Sequence, residues 1–327
     1  MIINNLIDTI DARLLELIQR DFPLAHRPFD EIAARLSISS IDAISRTSRL
    51  KSQGIIRQIS AIFNSSALGY SSVLVAFRVG DGYLENVAAA VCANPGVSHC
   101  YSRSDDFNLW FTLTLSPESD LGREIAGLAS LDGVQSHMIL PALKVYKIGL
   151  FLKLTDDAIG PVSWTITQPT RHELTNLDRA VVLALQQDIP IIEEPFARIA
   201  DHAGLQEDIV FQRANAYKAD GTMRRFAAVL RHGQAGYKAN AMVCWQVDSE
   251  KIDEVGEQFA QNPHVSHCYE RAQYPNWPYS LYTMVHCLDD QELDQIIYKL
   301  AEICGGCDHR VLKTVKEYKK TRVVYFR

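Results

Sequence analysis

Apolar positions in the first fifty residues recur at the spacing of one helical face. Over Ile10–Gln19 they fall at Ile10, Leu14, Leu17 and Ile18, which predicts an amphipathic helix ending near Phe22-Pro23. Pro28–Leu36 opens with a proline suited to the first helical turn, carries Asp30 and Glu31 there, and predicts a second short helix. Ser39 or Ser40 can cap a third over Ile41–Lys51, with Ile41, Ile44 and Leu50 expected to face inward and Gly54 to stop it. Past Gly54 the period changes from 3.6 to 2. Ile55–Phe63 and Ser72–Val79 predict strands, followed by a helix over 83–93 and a strand over Val97–Arg103. A turn through Asp105-Asp106, a strand over Leu109–Leu115, a helix near Asp120–Leu131 and a strand over Gln135–Lys147 complete the run. The expected fold is α+β: a winged helix-turn-helix followed by a ferredoxin-like β-α-β-β-α-β domain.

The same pattern then occurs a second time. Asn94-Pro-Gly-Val-Ser-His-Cys-Tyr101 returns as Asn262-Pro-His-Val-Ser-His-Cys-Tyr269 with one change, and Ile10-Asp11 and Gly69-Tyr70 return as Leu177-Asp178 and Gly236-Tyr237. A period this long is domain-sized and far exceeds the roughly 20–50 residues of a solenoid unit. The chain is therefore a tandem duplication. Its expected domains are a winged helix-turn-helix over 1–65 and a ferredoxin-like domain over 66–153, an extended linker over 154–173, then a second winged helix-turn-helix over 174–232 and a second ferredoxin-like domain over 233–327. The halves diverge at Phe107-Asn-Leu-Trp-Phe111, set against Pro275-Asn-Trp-Pro-Tyr279, whose prolines are expected to interrupt a central strand.

Composition narrows the function. A formal charge of −6 offers no long-range attraction to nucleic-acid phosphates or to an anionic membrane. The first residues lack a signal peptide's basic and apolar regions, and no run approaches the roughly 18 apolar residues of a membrane span, so a cytoplasmic protein is expected. Seven scattered cysteines argue against a disulfide framework and for small buried hydrophobes. Cys304-Gly-Gly-Cys307 has redox or metal spacing, but zinc would need two further ligands, and the corresponding Ser130–Gly133 has no cysteine. The segment reads as a helix-to-strand turn, and no metal site is expected.

The predicted architecture resembles the Lrp/AsnC family of regulators over each half. The strings Gly54-Ile-Ile-Arg57, Pro95-Gly-Val-Ser-His-Cys-Tyr101, Phe107–Phe111, Met223-Arg-Arg-Phe226 and Gly236-Tyr-Lys-Ala-Asn-Ala-Met242 are similar to its sirohaem decarboxylase branch, in the form that fuses two related subunits. The resemblance implies removal of the carboxyl groups of two acetate side chains of sirohaem, giving didecarboxysirohaem for haem d1 or an alternative haem pathway. It implies no added cofactor, since sirohaem's iron enters with the substrate.

Losing carbon dioxide from an acetate leaves carbanion character, so the site must hold carboxylates and deliver protons. Arginine suits the first task and histidine the second. On a strand, His99, Tyr101 and Arg103 share one face, as do His267, Tyr269 and Arg271. His99 and His267 are the candidate proton donors, and Tyr101, Tyr269, Arg103 and Arg271 line the substrate strip. Arg57 and Arg224, at equivalent places after the helix-turn-helix, are candidate carboxylate clamps, with Arg225 and His232 adding reach in the second half. His137 and His309 correspond at the last strand and rank below these as edge residues.

Two other readings compete. A DNA-binding regulator would present Arg46, Arg49 and Lys51 from one recognition helix and Arg213 and Lys218 from the other. Such unlike helices suit a palindromic operator poorly, and no DNA partner is expected. A haem-binding sensor would use His99 or His267 as an iron ligand without chemistry. The expected partners are the tetrapyrrole and the other half of the same chain, with room for a homo-oligomer.

Overall fold

The computed structural model describes residues 7–149, 151, 154, 173–231 and 238–326. Its first repeat contains α1 (Thr9–Arg20), α2 (Pro28–Leu36), α3 (Ser40–Ser52), β1 (Ile56–Phe63), β2 (Ser71–Val79), α4 (Leu84–Ala93), β3 (Val97–Arg103), β4 (Leu109–Leu115), α5 (Leu121–Ala129) and β5 (Val134–Ile148). The second contains α6 (Asn176–Leu185), α7 (Pro195–His202), α8 (Glu207–Ala219), β6 (Met223–Leu230), β7 (Ala239–Trp245), α9 (Ile252–Gln261), β8 (Val265–Arg271), β9 (Leu281–Cys287), α10 (Asp290–Ile303) and β10 (His309–Lys320). Packing does not follow the repeat. The chain divides into two compact units, one gathering both helix-turn-helix segments and the other both ferredoxin-like segments.

Local chemistry sets the helix starts of the first unit. Asp8 accepts from the Asp11 amide (2.8 Å) and donates its own amide to the Asp11 carboxylate (3.1 Å), and Thr175 and Asp178 make the same box ahead of α6. Ser39 caps α3 by accepting from the Asp42 amide. The inward face of α3 is Ala43, Thr47 and Leu50, whereas Ile41 is exposed: one position into the helix, it lies off the stripe that those residues define.

The two wing strands β1 and β6 pair antiparallel, and the contacts around them are reciprocal. The Phe22 amide donates to the Phe226 carbonyl (2.8 Å) and the equivalent Ile189 amide to the Ile59 carbonyl (3.0 Å). Lys51 pairs with Asp188 at 2.9 Å, and Lys218 with Asp21 at 2.9 Å. This is the isologous contact of a two-fold dimer, made within one chain. Phe22 lies against Phe29, Phe196 and Phe226 at its centre, so cutting Phe22 to alanine would cost about 3–5 kcal/mol.

The second unit is a closed eight-stranded barrel in the order β10-β3-β4-β2-β5-β8-β9-β7, every pair antiparallel. Closure depends on the long strands. The first part of β5 pairs with β2 and its remainder crosses to β8; β10 does the same with β7 and β3. Each crossing is pinned from a helix of the other repeat. Lys144 and Tyr146 reach Asp253, and Lys316 and Tyr318 reach Glu85. Tyr146 lies so close over Gly256 that a Cβ there would meet its ring at 2.7 Å.

One apolar cluster fills each sheet-helix layer, and a third, including Trp110, Leu140, Met242, Cys244, Trp277 and Leu312, fills the barrel interior. The prolines of 275–279 do not interrupt a strand. Leu113 and Val285 occupy equivalent places opposite Val97 and Val265, so four extra residues enter the β8–β9 hairpin, and Phe107–Phe111 corresponds to Tyr279–Thr283. The proline-bearing segment is the loop of that hairpin, closed by a Tyr274–Trp277 bridge.

Candidate active site

A bulge precedes His99 in β3 and His267 in β8, after which pairing with β4 and β9 runs without a break. The bulge puts Val97 and Cys100 together in the helix-side core and turns His99, Tyr101 and Arg103 to the barrel interior with Trp110. β8 repeats this for His267, Tyr269 and Arg271. Three strands lie between β3 and β8 either way around the barrel, so the two rows lie on opposite walls and, four antiparallel steps apart, run parallel. Both histidines therefore lie toward one end and both arginines toward the other. At the arginine end the β8–β9 loop folds Trp277 against Phe107 (5.7 Å) and Trp110 (5.8 Å).

Within each row the side chains form a ladder. The His99 and Tyr101 rings stack at 6.3 Å and the Arg103 guanidinium lies 5.3 Å from the Tyr101 ring. The second row gives 6.0 Å and 4.8 Å. Arg103 donates to the Leu312 carbonyl (3.0 Å) and the Thr314 hydroxyl (3.2 Å), and Arg271 to the Leu140 carbonyl (2.5 Å). Among the described residues neither has a carboxylate in ion-pair range, and the Nε of each is buried with no acceptor. Burial pulls Arg103 down to about 10 and lowers Arg271 as well. A buried cation without a counter-ion costs several kcal/mol unless an anion comes to it.

The rows differ in what backs the histidine. Ser98 bonds His99 Nδ1 (3.0 Å), and Ser266 bonds His267 Nδ1 (2.8 Å). In the second row alone, buried His286 continues the chain, its Nε2 2.9 Å from the Ser266 hydroxyl. The first repeat has Thr114 there, bonded instead to Ser72 (2.9 Å). His286 escapes sequence inspection because its equivalence to Thr114 emerges only once the four-residue hairpin insertion is placed.

The wing residues form a separate set. Arg57 falls at a bulge between Ile56 and Gln58 in β1, and Arg224 at the matching bulge in β6, which puts them at opposite ends of the two-stranded ribbon. Arg225 pairs with Ile62, and His232 lies outside the described residues. His137 and His309 are packing groups, against Phe77 and Trp245. Cys304 and Cys307 form a disulfide, against the expectation of none: Gly305 and Gly306, at φ of +73° and +77°, turn the chain back on itself.

The recognition-helix cations are all engaged. Arg46 bonds Asp8, Asp11 and Asp42, Arg49 bonds Asp11, and Lys51 pairs with Asp188. Arg213 pairs with Asp178 and Lys218 with Asp21. No helix among the described residues is long and apolar enough to cross a membrane.

Paired helix-turn-helix segments, together with a barrel of two ferredoxin-like domains, define a protein of the AsnC-like class, in which one chain supplies both partners. Residues 67–147 and 234–319 match the AsnC-like ligand binding domain, and 11–57 and 178–224 match the siroheme decarboxylase NirDL-like HTH domain. The chain belongs to the siroheme decarboxylase family. A siroheme decarboxylase of Hydrogenobacter thermophilus is 35% identical over 96% of this chain and 94% of its own. The crystal structure of the siroheme decarboxylase NirDL superposes with a TM-score of 0.77 at 32% identity, covering 98% of this chain and 95% of that one. A co-complex of NirDL with an iron-uroporphyrin III analogue gives 0.75 at 31% identity, covering 96% and 94%.

Proposed function

We infer that this protein decarboxylates two acetate side chains of sirohaem to give didecarboxysirohaem, and that the two barrel rows carry the chemistry. The observation that carries this reading is the pair of arginines, Arg103 buried and Arg271 half-buried, which have no ion-pair carboxylate among the described residues and each share a strand face with a histidine. The distances refine their roles. His99 and Arg103 are four residues apart on one strand, as are His267 and Arg271, a Cα separation of about 13 Å at about 3.3 Å per residue, so one acetate is not expected to touch both. A unit charge at that range contributes on the order of 1 kcal/mol at an effective dielectric of 20. The arginines thus draw carboxylates of this many-carboxylate substrate toward the barrel, and the histidines meet the reacting acetates.

In each decarboxylation the bond from methylene to carboxyl carbon breaks and carbon dioxide leaves. The electron pair passes to the methylene carbon and its pyrrole ring, and His99 or His267 supplies the proton that makes the methyl group. Ser98 and Ser266 fix the imidazoles through Nδ1, and Nε2 is the atom that transfers the proton. Tyr101 and Tyr269 fill the space between the two groups. From their places in the sequence, Arg57, Arg224, Arg225 and His232 are assigned as further carboxylate ligands. DNA binding is disfavoured by the ion-paired recognition helices.

Anaerobic incubation of the purified protein with sirohaem, followed by mass spectrometry of the tetrapyrrole, tests this. Loss of two carboxyl masses supports it; unchanged sirohaem together with tight operator binding rejects it.

A further inference from the structure

We propose that His264, Cys287 and Glu292 form a binding site for a zinc-class divalent cation, present in the second repeat only. Their ligand atoms all lie within 4.8 Å of one another, with Cys287 Sγ 3.8 Å from His264 Nδ1. His264 precedes β8, Cys287 ends β9, and Glu292 is in the first turn of α10. The Leu288 amide holds the Glu292 carboxylate at 2.7 Å, and Asp289 caps the helix by accepting from the Glu292 amide, so the glutamate is oriented from its own turn.

Comparison with the first repeat supplies an independent argument. His264 is the one change in the repeated octapeptide, standing where the first repeat has Gly96, and Cys287 stands where it has Leu115. A Cβ on Gly96 would meet the Thr114 carbonyl at 2.7 Å and the Leu115 side chain at 3.0 Å. The backbone bond is the same in both repeats, Thr114 to Gly96 and His286 to His264, each 2.9 Å. Replacing leucine by the smaller cysteine removes the Leu115 part of that crowding, on the side where the imidazole lies. Two linked changes install a nitrogen and a sulfur ligand beside a carboxylate.

Zinc bonds of about 2.3 Å to sulfur and 2.0–2.2 Å to nitrogen and oxygen put tetrahedral ligands about 3.5 Å apart. The sulfur–nitrogen pair is near that spacing already, and the widest pair must close by about 1 Å. The 3.3 Å contact of His264 Nδ1 with the His286 carbonyl is long and is given up on binding. The cysteine thiol gives its proton to solvent, and water takes the fourth position from the side where His264 and Glu292 are half-buried. The spacings match no zinc motif, which hides the site in the sequence. It lies on the helix side of the sheet, away from the His267 row, so its failure leaves the decarboxylase reading untouched.

The test is metal titration of the full-length protein, stripped with chelator under reducing conditions. Zinc should bind at one equivalent per chain by native mass spectrometry, and cobalt should give a near-ultraviolet thiolate-to-metal band. Cys287→Ser should abolish the band and weaken zinc at least tenfold. The double variant His264→Gly/Cys287→Leu, which restores the first repeat's packing and so should fold, should bind no zinc, while Cys304→Ser/Cys307→Ser should bind it normally. Unchanged zinc stoichiometry in the double variant, or loss of binding in the Cys304/Cys307 variant alone, overturns the proposal.

Discussion

Two sets of arginines divide the molecule. In the helix-turn-helix unit, Arg46 makes hydrogen bonds to three aspartates and Arg49 to one, so their charge is spent inside the protein. In the barrel, buried Arg103 and half-buried Arg271 lie on carbonyls and tyrosine faces, with no ion-pair carboxylate among the described residues. The helix-turn-helix unit thus ties its recognition-helix cations into internal ion pairs, whereas the barrel arginines have none among the described residues.

The largest expected effect lies in the chemical step. His267→Ala and His99→Ala should lower kcat about 10²–10⁴-fold, the range of a lost general acid, with KM little changed. Steady-state kinetics on sirohaem decides this. If both variants match wild type, the rows are not the reacting groups.

The arginine contrast can be broken directly. Arg103→Met or Arg271→Met should raise KM about tenfold, yet leave Tm unchanged or higher, because an apolar residue of similar length removes an uncompensated buried cation. Arg46→Met should do the reverse. It strips a partner from buried Asp11 and should cost about 1–3 kcal/mol of stability, with kinetics unchanged. Thermal melts and kinetics on the same preparations would refute the contrast if Arg103→Met destabilised as Arg46→Met does.

Much of this was legible before any coordinates. The switch of hydrophobic period at Gly54 and the twofold occurrence of Ser-His-Cys-Tyr gave the elements and the repeat, because both depend on local spacing. The alternation from His99 to Arg103 also held, since the bulge precedes it. What stayed hidden depends on pairing across the repeats. The crossing of β5 and β10 leaves no periodic signal, and two of the three aspartates that neutralise Arg46, Asp8 and Asp11, come from the first helix and its cap. The four-residue insertion before β9 concealed both His286 and the meeting of His264 with Cys287.

A smaller effect separates the units by pH. Burial lowers Lys147 in the barrel to about 8. Its unfolded value is about 10.4, so between these values the unfolded chain binds more protons and stability rises with pH. Tm should climb by about 2–4 °C across that window, if the net gain is on the order of 1 kcal/mol, and Lys147→Met should flatten the rise. In the other unit, burial tends to raise Asp178, but hydrogen bonds from Thr175 and Tyr217 hold it below the usual carboxylate value. Its contribution is present above about pH 3.9 and is lost as pH falls through the lowered value. Acid should therefore weaken the helix-turn-helix unit, where alkali strengthens the barrel.

The finest contrast is between the two rows themselves. His286 restrains the Ser266 hydroxyl, which in turn orients His267, whereas Ser98 has no such partner in Thr114. A residue that orients the acid should act on turnover more than on binding. His286→Thr, the first repeat's residue, should lower kcat about threefold to tenfold, the size of one lost hydrogen bond near 1 kcal/mol. KM should hold, and the slowed step should be one of the two decarboxylations, so that a monodecarboxylated product accumulates in single-turnover mass spectra. A role confined to packing would instead lower Tm and leave the ratio of intermediate to product as in wild type.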